Sequence, residues 1–271
     1  MIIAIDTGGT KTLVGRFDAA GKLEDSRVFP TPQEFDKYRQ QVVETVAQMR
    51  AEQTPDAICI AVPGVVRDGI ALECPNLGWK QVDVAGIFAE AYPTSRIIVG
   101  NDADIAGIGE VHQLADTPHI AVYVTYSTGI GTGLIVDGKL LPHIERFEAG
   151  KIMFDYDGAL QSWEQFASGR AIAARYNSYA RDIHDPEAWR EIADRLSRGL
   201  MAIIPMLKPE YIIVGGSVGA YFDRFEAALS DRLRATIPKY IDSTQIIQAK
   251  HPEEAVIYGC YHHALDAIND H

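Results

Sequence analysis

Residues 1–18 read MIIAIDTGGTKTLVGRFD, and this stretch decides the fold. Residues 2–5 form a continuous apolar run that is typical of a buried strand, and the run leads directly into Asp6. A turn rich in glycine and threonine follows, and residues 12–17 are predicted to form a second strand. Because glycine lacks a Cβ atom, the backbone N–H groups of such a turn can approach an anion closely. The stretch therefore predicts a hairpin whose turn serves either chain geometry alone or contact with an anion.

Strands and helices alternate along the rest of the chain, which predicts the α/β class. A third strand at residues 23–29 makes the opening a β-meander rather than a βαβ unit. A helix is expected after it, because Thr31 offers an N-cap, Pro32 the first helical position and Glu34 a capping box. The other predicted elements are strands at 57–62, 96–99, 120–125, 133–136 and 211–214, and helices at 103–114, 163–181, 186–207, 221–236 and 253–268.

The composition argues against a nucleic-acid partner. The chain has 271 residues, enough for one large domain or two modest ones. Its formal charge is −12, from 37 acidic and 25 basic side chains, and lysine and arginine form no run. Neutralising the phosphates of a nucleic acid needs clustered basic side chains, so we expect no such partner.

The cysteines and the apolar runs point to a soluble cytoplasmic protein. Cys59, Cys74 and Cys260 are widely spaced and form no CxxC pair, which argues against a zinc ribbon or a redox pair. A sparse, odd number of cysteines fits a reduced compartment. No apolar run is long enough to span a membrane, and no signal-peptide pattern is present, so we expect no membrane partner.

The sequence pattern of the first meander is weakly repeated later in the chain. Residues 120–140, IAVYVTYSTGIGTGLIVDGKL, repeat the pattern of strand, Thr/Gly turn, strand and Gly-Lys-Leu turn that residues 2–23 show. Two copies of one meander suggest two similar lobes. Neither turn matches the GxxxxGK[ST] P-loop, and two Thr-rich turns favour phosphate contact over hairpin geometry alone. Residues 215–217, Gly-Gly-Ser, follow a predicted strand and would either seat a nucleotide or pack a strand on a helix.

Asn101 and Asp102 stand between a buried strand and a helix. Ligands of open α/β sheets bind outside the carboxyl ends of the strands. Asp102 is therefore either a helix N-cap or a carboxylate placed to take a proton from a hydroxyl group.

Seven segments together resemble the ROK family (repressor, open reading frame, kinase) of sugar kinases, within the actin-like ATPase superfamily. The resemblance runs in order over nearly the whole chain, with Ser127 where the family usually has a glycine. The segments are AIDTGGTKT (4–12), AVPGVVRDGIALECPNLGW (61–79), GNDADIAGIGE (100–110), TYSTGIGTGLIVDGKL (125–140), WEQFASGRAI (163–172), IIVGGSVG (212–219) and AVIYGCYHHAL (255–265).

The resemblance implies a fold of two actin-like ATPase (ribonuclease H-like) lobes with an interlobe cleft. Residues 1–115 would form the smaller N-terminal α/β lobe, with a C-terminal helix at about 253–268 packing back on it. Residues 116–252 would form the larger C-terminal lobe. The resemblance also implies a homodimer.

The activity implied by the resemblance is ATP-dependent phosphorylation of a hexose at its 6-hydroxyl, with glucose as the default sugar. Asp102 would be the general base, and Asp6 would hold Mg²⁺ through water. Other hexoses, an N-acetylhexosamine, or polyphosphate in place of ATP remain open. A catalytically inactive sugar-binding or regulatory protein is an alternative of another class.

The resemblance also assigns the binding residues. The sugar hydroxyls would meet amide, carboxylate and ammonium groups, and the two Thr/Gly turns would hold the ATP phosphates. The sugar residues would be Asn76, Asn101, Glu148, Lys151 and Glu164, and the ATP residues Gly8, Gly9, Thr10, Lys11, Thr128, Gly129, Gly215 and Gly216.

Lys151 departs from the family pattern. Most members have Glu-x-Gly-His followed by a cysteine-rich zinc loop, whereas this chain has Glu148-Ala-Gly-Lys151 and no cysteine before Trp163. We therefore predict no zinc, with residues 152–160 in place of the metal loop. Lys151 would either pair with Glu148, three residues away, or contact the sugar and change selectivity, and an impaired site is a third reading.

Overall fold

The structure is a computed structural model that describes residues 1–50, 52–141, 147–241, 243–250 and 254–269. The chain forms two compact units. The first contains Met1–His112 together with Glu253–His271, and the second contains Gln113–Pro252.

Each unit has its own elements. Those of Met1–His112 are β1 (Ile2–Thr7), β2 (Lys11–Phe17), β3 (Leu23–Pro30), α1 (Phe35–Met49), β4 (Ala57–Val62), β5 (Val65–Arg67), β6 (Ile70–Cys74), β7 (Trp79–Asp83), α2 (Gly86–Ala89), β8 (Arg96–Asn101) and α3 (Asp102–Val111). Those of the second unit are β9 (Ile120–Tyr126), β10 (Ile130–Val136), β11 (Met153–Tyr156), β12 (Ala159–Ser162), α4 (Trp163–Ala167), α5 (Gly169–Tyr176), α6 (Pro186–Leu207), β13 (Tyr211–Gly215), α7 (Gly216–Gly219), α8 (Glu226–Thr236) and β14 (Gln245–Gln248). The chain ends with α9 (Ala255–Asn269), which belongs to the first unit.

The main sheet of the first unit has the order β3-β2-β1-β4-β8. β1, β2 and β3 form the antiparallel meander, while β1, β4 and β8 run parallel. The apolar run at the start of the chain is fully buried, as are Ile58 and Ile60 of β4, because central parallel strands are covered on both faces. The carboxyl ends of β1, β4 and β8 therefore meet at one edge of this sheet.

The helix α9 packs against α3 and β1 of the same unit. Glycines make the α3–α9 contact close. A Cβ atom on Gly259 would lie 1.8 Å from the carbonyl oxygen of Ile105, and one on Gly109 would lie 2.1 Å from that of Ala255. The backbones of the two helices touch there, which no larger residue at either glycine would permit.

The sheet of the second unit repeats the plan of the first. Its order is β10-β9-β13-β14, with β9 and β10 antiparallel and β9, β13 and β14 parallel. The 22-residue helix α6 covers this sheet. The indole ring of Trp163 packs against α6 at Gly199, where an added Cβ atom would lie 2.2 Å from the ring. Both sheets thus begin with a hairpin whose turn is rich in Thr and Gly and continue with parallel strands.

The predicted start of the first helix is wrong. α1 begins at Phe35, and Glu34 is its N-cap residue without a side-chain capping bond. Thr31 is instead used by the opening hairpin, where its hydroxyl donates to the carbonyl of Gly8 at 2.8 Å and lies 2.9 Å from the hydroxyl of Thr12.

The single helix predicted at residues 163–181 is also wrong. Ser168 ends α4 and caps α5, since its hydroxyl accepts from the backbone N–H of Ala171. Asn177 then ends α5 in the left-handed conformation with φ 47°, and a 3₁₀ turn covers Ala180–Asp182.

The helix predicted from residue 221 begins at Glu226, after a 3₁₀ turn. The strands β5, β6, β7, β11, β12 and β14 were not predicted.

The first and last residues of several elements differ from the predicted ones. β1 continues through Thr7, which pairs with Thr12 of β2, and β8 continues through Asn101, which pairs with Val62 of β4. Backbone pairing thus carries polar residues into the strands along with the apolar ones. The predicted last helix starts at residue 253, which lies outside the described residues; α9 is observed from Ala255. None of the described helices combines the length and the hydropathy that crossing a membrane requires.

The half-buried histidines of α9 are expected to make the first unit sensitive to acid. The ring of His262 stacks on that of His112 with centroids 3.8 Å apart. Removal from water, and secondly the neighbouring His112, lower the pKa of His262 to about 4, and burial also lowers the pKa of His263. The unfolded chain takes up these protons near the ordinary histidine pKa of about 6.5, before the folded chain does. Stability is therefore expected to fall as the pH drops from about 6.5 towards 4.

Replacing His262 by Phe should flatten this pH dependence, because the variant keeps a stacked ring but loses the proton-binding group. We expect the urea midpoint of the wild type to fall more between pH 7 and pH 5 than that of His262→Phe, with unfolding followed by circular dichroism. The exposed His184→Gln variant is the control and should keep the wild-type slope. Parallel pH curves for wild type and His262→Phe would contradict this account.

Candidate functional site

The carboxyl edge of the first sheet brings together polar residues that are far apart in the sequence. Asp6 lies on β1 opposite Ala61 of β4, and Ala61 lies opposite Gly100 of β8. Asn101 ends β8, and Asp102 is the first residue of α3. The parallel register therefore brings Asp6, Asn101 and Asp102 to one edge.

Asn101 is the N-cap of α3. Its side-chain oxygen accepts from the backbone N–H groups of Ala103 at 2.8 Å and Asp104 at 3.2 Å, while its amide nitrogen donates to the carbonyl of Gly64 at 2.9 Å. The capping role that the sequence left open for Asp102 thus belongs to Asn101. Asp102 accepts from the N–H of Ala103 with Oδ1 at 2.9 Å, which orients its carboxylate at the helix N-terminus.

The carboxyl group of Asp6 at this edge is strongly perturbed. Its pKa is raised to about 7, first because the group is largely removed from water and second because the charge of Asp102 repels its ionised form; Lys11 acts in the opposite direction. Two mutually repelling carboxylates supply the hard oxygen donors that Mg²⁺ prefers, and a divalent cation relieves their repulsion. The residues at this edge therefore fit the predicted cation.

Hydrogen bonds to backbone carbonyl groups fix the conformation of the turn between β1 and β2. The N–H of Gly8 donates to the carbonyl of Lys11 at 2.9 Å, and the side chain of Gln33 donates to the carbonyl of Gly9 at 3.1 Å. Gly9 also lies close to Asn76, since an added Cβ would be 3.3 Å from that of Asn76. The side chains of Thr10 and Lys11 are exposed, so the rigid turn presents a hydroxyl and an ammonium group to solvent.

The turn between β9 and β10 is the matching feature of the second unit. The N–H of Ser127 donates to the carbonyl of Gly129 at 2.9 Å, and the N–H of Gly169 donates to the carbonyl of Ser127 at 2.7 Å. Thr128 is exposed at the tip of this turn. The second turn is thus tied to the start of α5, just as the first is tied to the segment after β3.

A cavity of about 520 Å³ opens beside this second turn, within the second unit. It lies next to the Gly215–Gly216 stretch, whose Gly216 has φ +84° and would place a Cβ 2.5 Å from Thr125 Oγ1. Tyr221 and Tyr179 supply aromatic walls, the latter carrying Arg181 5.2 Å from its ring centre. The lining residues are Ser127, Thr128, Gly169, Arg170, Ala173, Tyr179, Ala180, Arg181, Ser217, Val218 and Tyr221.

The aromatic and basic residues of this cavity were not predicted from the sequence. Arg170 lies in segment 163–172 and Ser217 in segment 212–219, and both segments resemble motifs of the ROK family. Tyr179, Arg181 and Tyr221 carry no local signal, because the cavity forms only when α5, the 3₁₀ turn after it and α7 pack together.

Of the readings left open for Lys151, the ion pair with Glu148 is not the contact that the structure shows. Lys151 Nζ donates to Glu164 Oε1 at 2.7 Å, while the exposed Glu148 is joined to Lys151 only by the backbone, its carbonyl accepting from the N–H of Lys151. Glu164 Oε2 accepts from the N–H of Ile130 at 3.0 Å. The segment predicted to stand in place of the metal loop, residues 152–160, lies in the hairpin formed by β11 and β12.

The predicted site residues thus form one group in each unit. The first unit brings together Asp6, Asn101 and Asp102 at the sheet edge, with Asn76 against the Gly8–Lys11 turn. The second brings Lys151 and Glu164 against the turn of Thr128 and Gly129, with Gly215 and Gly216 beside the cavity; Glu148 contributes backbone alone to this contact. Among the described residues, no group of three or more His, Cys, Asp and Glu side chains is arranged to hold a metal ion, and the absence of zinc stays a prediction.

Comparison with known proteins identifies the family. The ROK family pattern matches residues 2–266, so the chain belongs to the ROK family. An N-acetylmannosamine kinase from Shigella flexneri is 30% identical over 244 residues, which are 80% of this chain and 83% of that protein.

Two solved structures are similar over nearly their full lengths. A ROK family glucokinase from Streptomyces griseus, in complex with glucose and AMPPNP, has a TM-score of 0.76 and 24% identity over 96% of this chain and 97% of that one. An inorganic polyphosphate/ATP-glucomannokinase from Arthrobacter sp. strain KM has a TM-score of 0.72 and 27% identity over 100% and 99%. The predicted α/β fold class with actin-like ATPase lobes is confirmed.

The contact between Gly129 and Glu164 can be tested by a double-mutant cycle. A Cβ on Gly129 would lie 2.3 Å from Glu164 Oε2, and moving that oxygen breaks its hydrogen bond from the N–H of Ile130 and disturbs the ion pair with Lys151. We expect Gly129→Ala to lower the free energy of unfolding by about 1–3 kcal/mol. In the Glu164→Ala background the cost should shrink by about 1 kcal/mol or more.

Urea unfolding of the four proteins measures this coupling. The distant pair Gly129→Ala with Glu187→Ala is the control, because the exposed Glu187 contacts Arg190 on α6, and its effects should add within about 0.5 kcal/mol. Additivity of Gly129→Ala and Glu164→Ala would show that the two residues do not interact.

Proposed function

We propose that the protein transfers the γ-phosphoryl group of ATP to the 6-hydroxyl of a hexose or an N-acetylated hexosamine. The observation that carries the proposal is the convergence of Asp6, Asn101 and Asp102 at the carboxyl edge of the β1-β4-β8 sheet. Ligands of open α/β sheets bind at such an edge. Membership of the ROK family and a relative named as an N-acetylmannosamine kinase support the same reading.

Asp102 is the proposed general base. Its carboxylate accepts the proton of the attacking 6-hydroxyl while the oxygen of that hydroxyl forms the bond to the γ-phosphorus and ADP leaves. Asn101 serves this step indirectly, because it fixes the first turn of α3 and with it the position of Asp102. Glu148 and Glu164 are proposed to bind sugar hydroxyls together with Asn76 and Asn101.

The two Thr/Gly turns are proposed to hold the ATP phosphates. Lys11 and Thr10 of the first turn and Thr128 of the second present polar groups on exposed side chains. The cavity beside Gly215 and Gly216 offers aromatic walls for the base, with Arg170 and Arg181 beside it. Mg²⁺, which Asp6 would hold, neutralises charge on the transferring phosphoryl group when bound.

The comparisons support more than one candidate for the sugar and for the phosphoryl donor. Glucose is the default sugar from the family resemblance, whereas the relative at 30% identity is named for N-acetylmannosamine. The name of the structure at 27% identity includes inorganic polyphosphate as well as ATP, so polyphosphate is the second candidate donor. We also propose a homodimer, which rests on the family resemblance, and a cytoplasmic location, which rests on the sparse, widely spaced cysteines.

Replacing Asp102 by Asn separates an active kinase from an inactive sugar-binding or regulatory protein. The variant keeps the shape and the backbone hydrogen bond but cannot take a proton, so kcat should fall by about 10²–10⁴-fold. A coupled assay of ADP release, run across hexoses and acetylated hexosamines, measures the effect.

The control for this substitution is Asp185→Asn at the start of α6, where the side chain also accepts a helix N–H. It should retain full activity. If wild type and Asp102→Asn release ADP at the same rate with every sugar and with polyphosphate in place of ATP, the kinase proposal fails.

A further inference from the structure

The Lys151–Glu164 ion pair places a cation where the family resemblance puts sugar-binding residues. Lys151 Nζ lies 2.7 Å from Glu164 Oε1. The side chain of Lys151 is 59% exposed and that of Glu164 is 30% exposed. The ammonium group is therefore the outer partner of the pair, and a ligand approaching from solvent meets a hydrogen-bond donor before it meets the carboxylate.

Glu164 is held on both of its oxygens. Oε2 accepts from the N–H of Ile130 at 3.0 Å, and the absence of a side chain on Gly129 leaves the space that this oxygen occupies. Oε1 is committed to Lys151. Turning the Glu164 carboxylate towards solvent would break its hydrogen bond from the Ile130 N–H and its charge-assisted bond from Lys151. The ammonium group of Lys151 therefore remains the outer group of the pair.

The backbone under Lys151 is equally fixed. Lys151 ends the 3₁₀ turn Ala149–Lys151, and its N–H donates to the carbonyl of Glu148 at 3.0 Å. Gly150 is buried so tightly that a Cβ would lie 2.2 Å from the carbonyl oxygen of Ile130. An ammonium group has three N–H donors, and across the described part of the chain Nζ has no other hydrogen-bond or ion-pair partner than Glu164.

We propose that Lys151 is a specificity-determining residue that selects an N-acylated hexosamine over a sugar with hydroxyl groups alone. This inference rests on the proposed function. A carboxylate in this position suits hydroxyl donors, whereas a lysine donates and never accepts. The carbonyl oxygen of an acetamido group is an acceptor without a competing O–H, and it therefore matches Lys151 better than a hydroxyl does.

Charge favours the neutral carbonyl over a carboxylate-bearing sugar. Lys151 and Glu164 form a neutral pair, and Glu148 adds an exposed carboxylate three residues from Lys151. The formal charges of these three described side chains sum to −1, which disfavours a carboxylate ligand. A neutral amide accepts the available N–H donors without this cost.

The test compares kcat/KM for matched sugar pairs, N-acetylmannosamine with mannose and N-acetylglucosamine with glucose, at saturating ATP and Mg²⁺. We expect the wild type to prefer the acetylated sugar of at least one pair. Lys151→Met, which keeps the length and removes the donors, should lower that preference by about 10- to 100-fold, as expected for a hydrogen bond to a charged group. Lys151→Arg should restore part of the preference, since it keeps donors and charge.

Lys37→Met is the matched control. It removes another exposed lysine that pairs with a glutamate at 2.7 Å, in this case Glu34 at the start of α1. Its ratio of kcat/KM values should equal that of the wild type, so a change confined to Lys151 variants reports the position rather than the loss of a surface charge.

Three results would overturn the inference. An equal loss for acetylated and plain sugars in Lys151→Met would make the pair a structural contact, and an unchanged ratio would remove Lys151 from recognition. Faster turnover of gluconate than of every acetylated sugar, lost in Lys151→Met, would assign a carboxylate instead.

Calorimetric titration with the acetylated sugars keeps the inference distinct from the proposed function. If no sugar is phosphorylated but an acetylated sugar binds the wild type more tightly than Lys151→Met, the kinase proposal fails and the selectivity proposal stands. If neither phosphorylation nor binding depends on Lys151, the selectivity proposal fails by itself.

Discussion

One amide side chain ties together the elements on which the first unit's candidate site depends. Asn101 donates to the carbonyl of Gly64, just after β4, and accepts from two N–H groups that open α3. The end of one strand, the end of its parallel neighbour and the start of a helix are thereby held in one arrangement. Asp102 takes its place from this arrangement, and its charge in turn perturbs Asp6 on β1. A carboxylate fixed in this way needs no reorganisation when a proton is to be transferred, which is the condition for effective base catalysis.

The second unit applies the same principle to a turn. Glu164, from the first turn of α4, accepts the N–H of Ile130 where β10 begins, and Gly129 makes room for it. The ammonium group of Lys151 pairs with the charge of the Glu164 carboxylate on its solvent side. The turn of Thr128 is therefore not an isolated hairpin, because its geometry depends on a helix and on a 3₁₀ turn that lie later in the chain. Gly129 permits this contact because it has no side chain, as Gly109 and Gly259 do where α3 meets α9.

Local patterns were enough to predict the hairpin at Asp6, the strand before Asn101 and the α/β class, because buried parallel strands are apolar runs that end in polar residues. Non-local contacts account for what was missed. Thr31 has the ideal sequence context of an N-cap, but the carbonyl of Gly8 takes its hydroxyl. Lys151 has a glutamate at the favourable spacing of three residues, yet its partner is Glu164, which the fold brings in from 13 positions along the chain. Tyr221 carries no motif and lines the cavity only because α7 packs beside α5.

The central claim is that a phosphoryl group is transferred from ATP to the 6-hydroxyl of a sugar. Its most direct test is a ¹H–³¹P correlation spectrum of the products formed from ATP, Mg²⁺ and the protein with glucose, mannose, N-acetylglucosamine and N-acetylmannosamine in turn. The account predicts, for at least one sugar, a phosphomonoester signal correlated with the two protons on carbon 6. A phosphorus signal correlated with another sugar carbon's proton, or inorganic phosphate as the only new phosphorus species with every sugar, would contradict it.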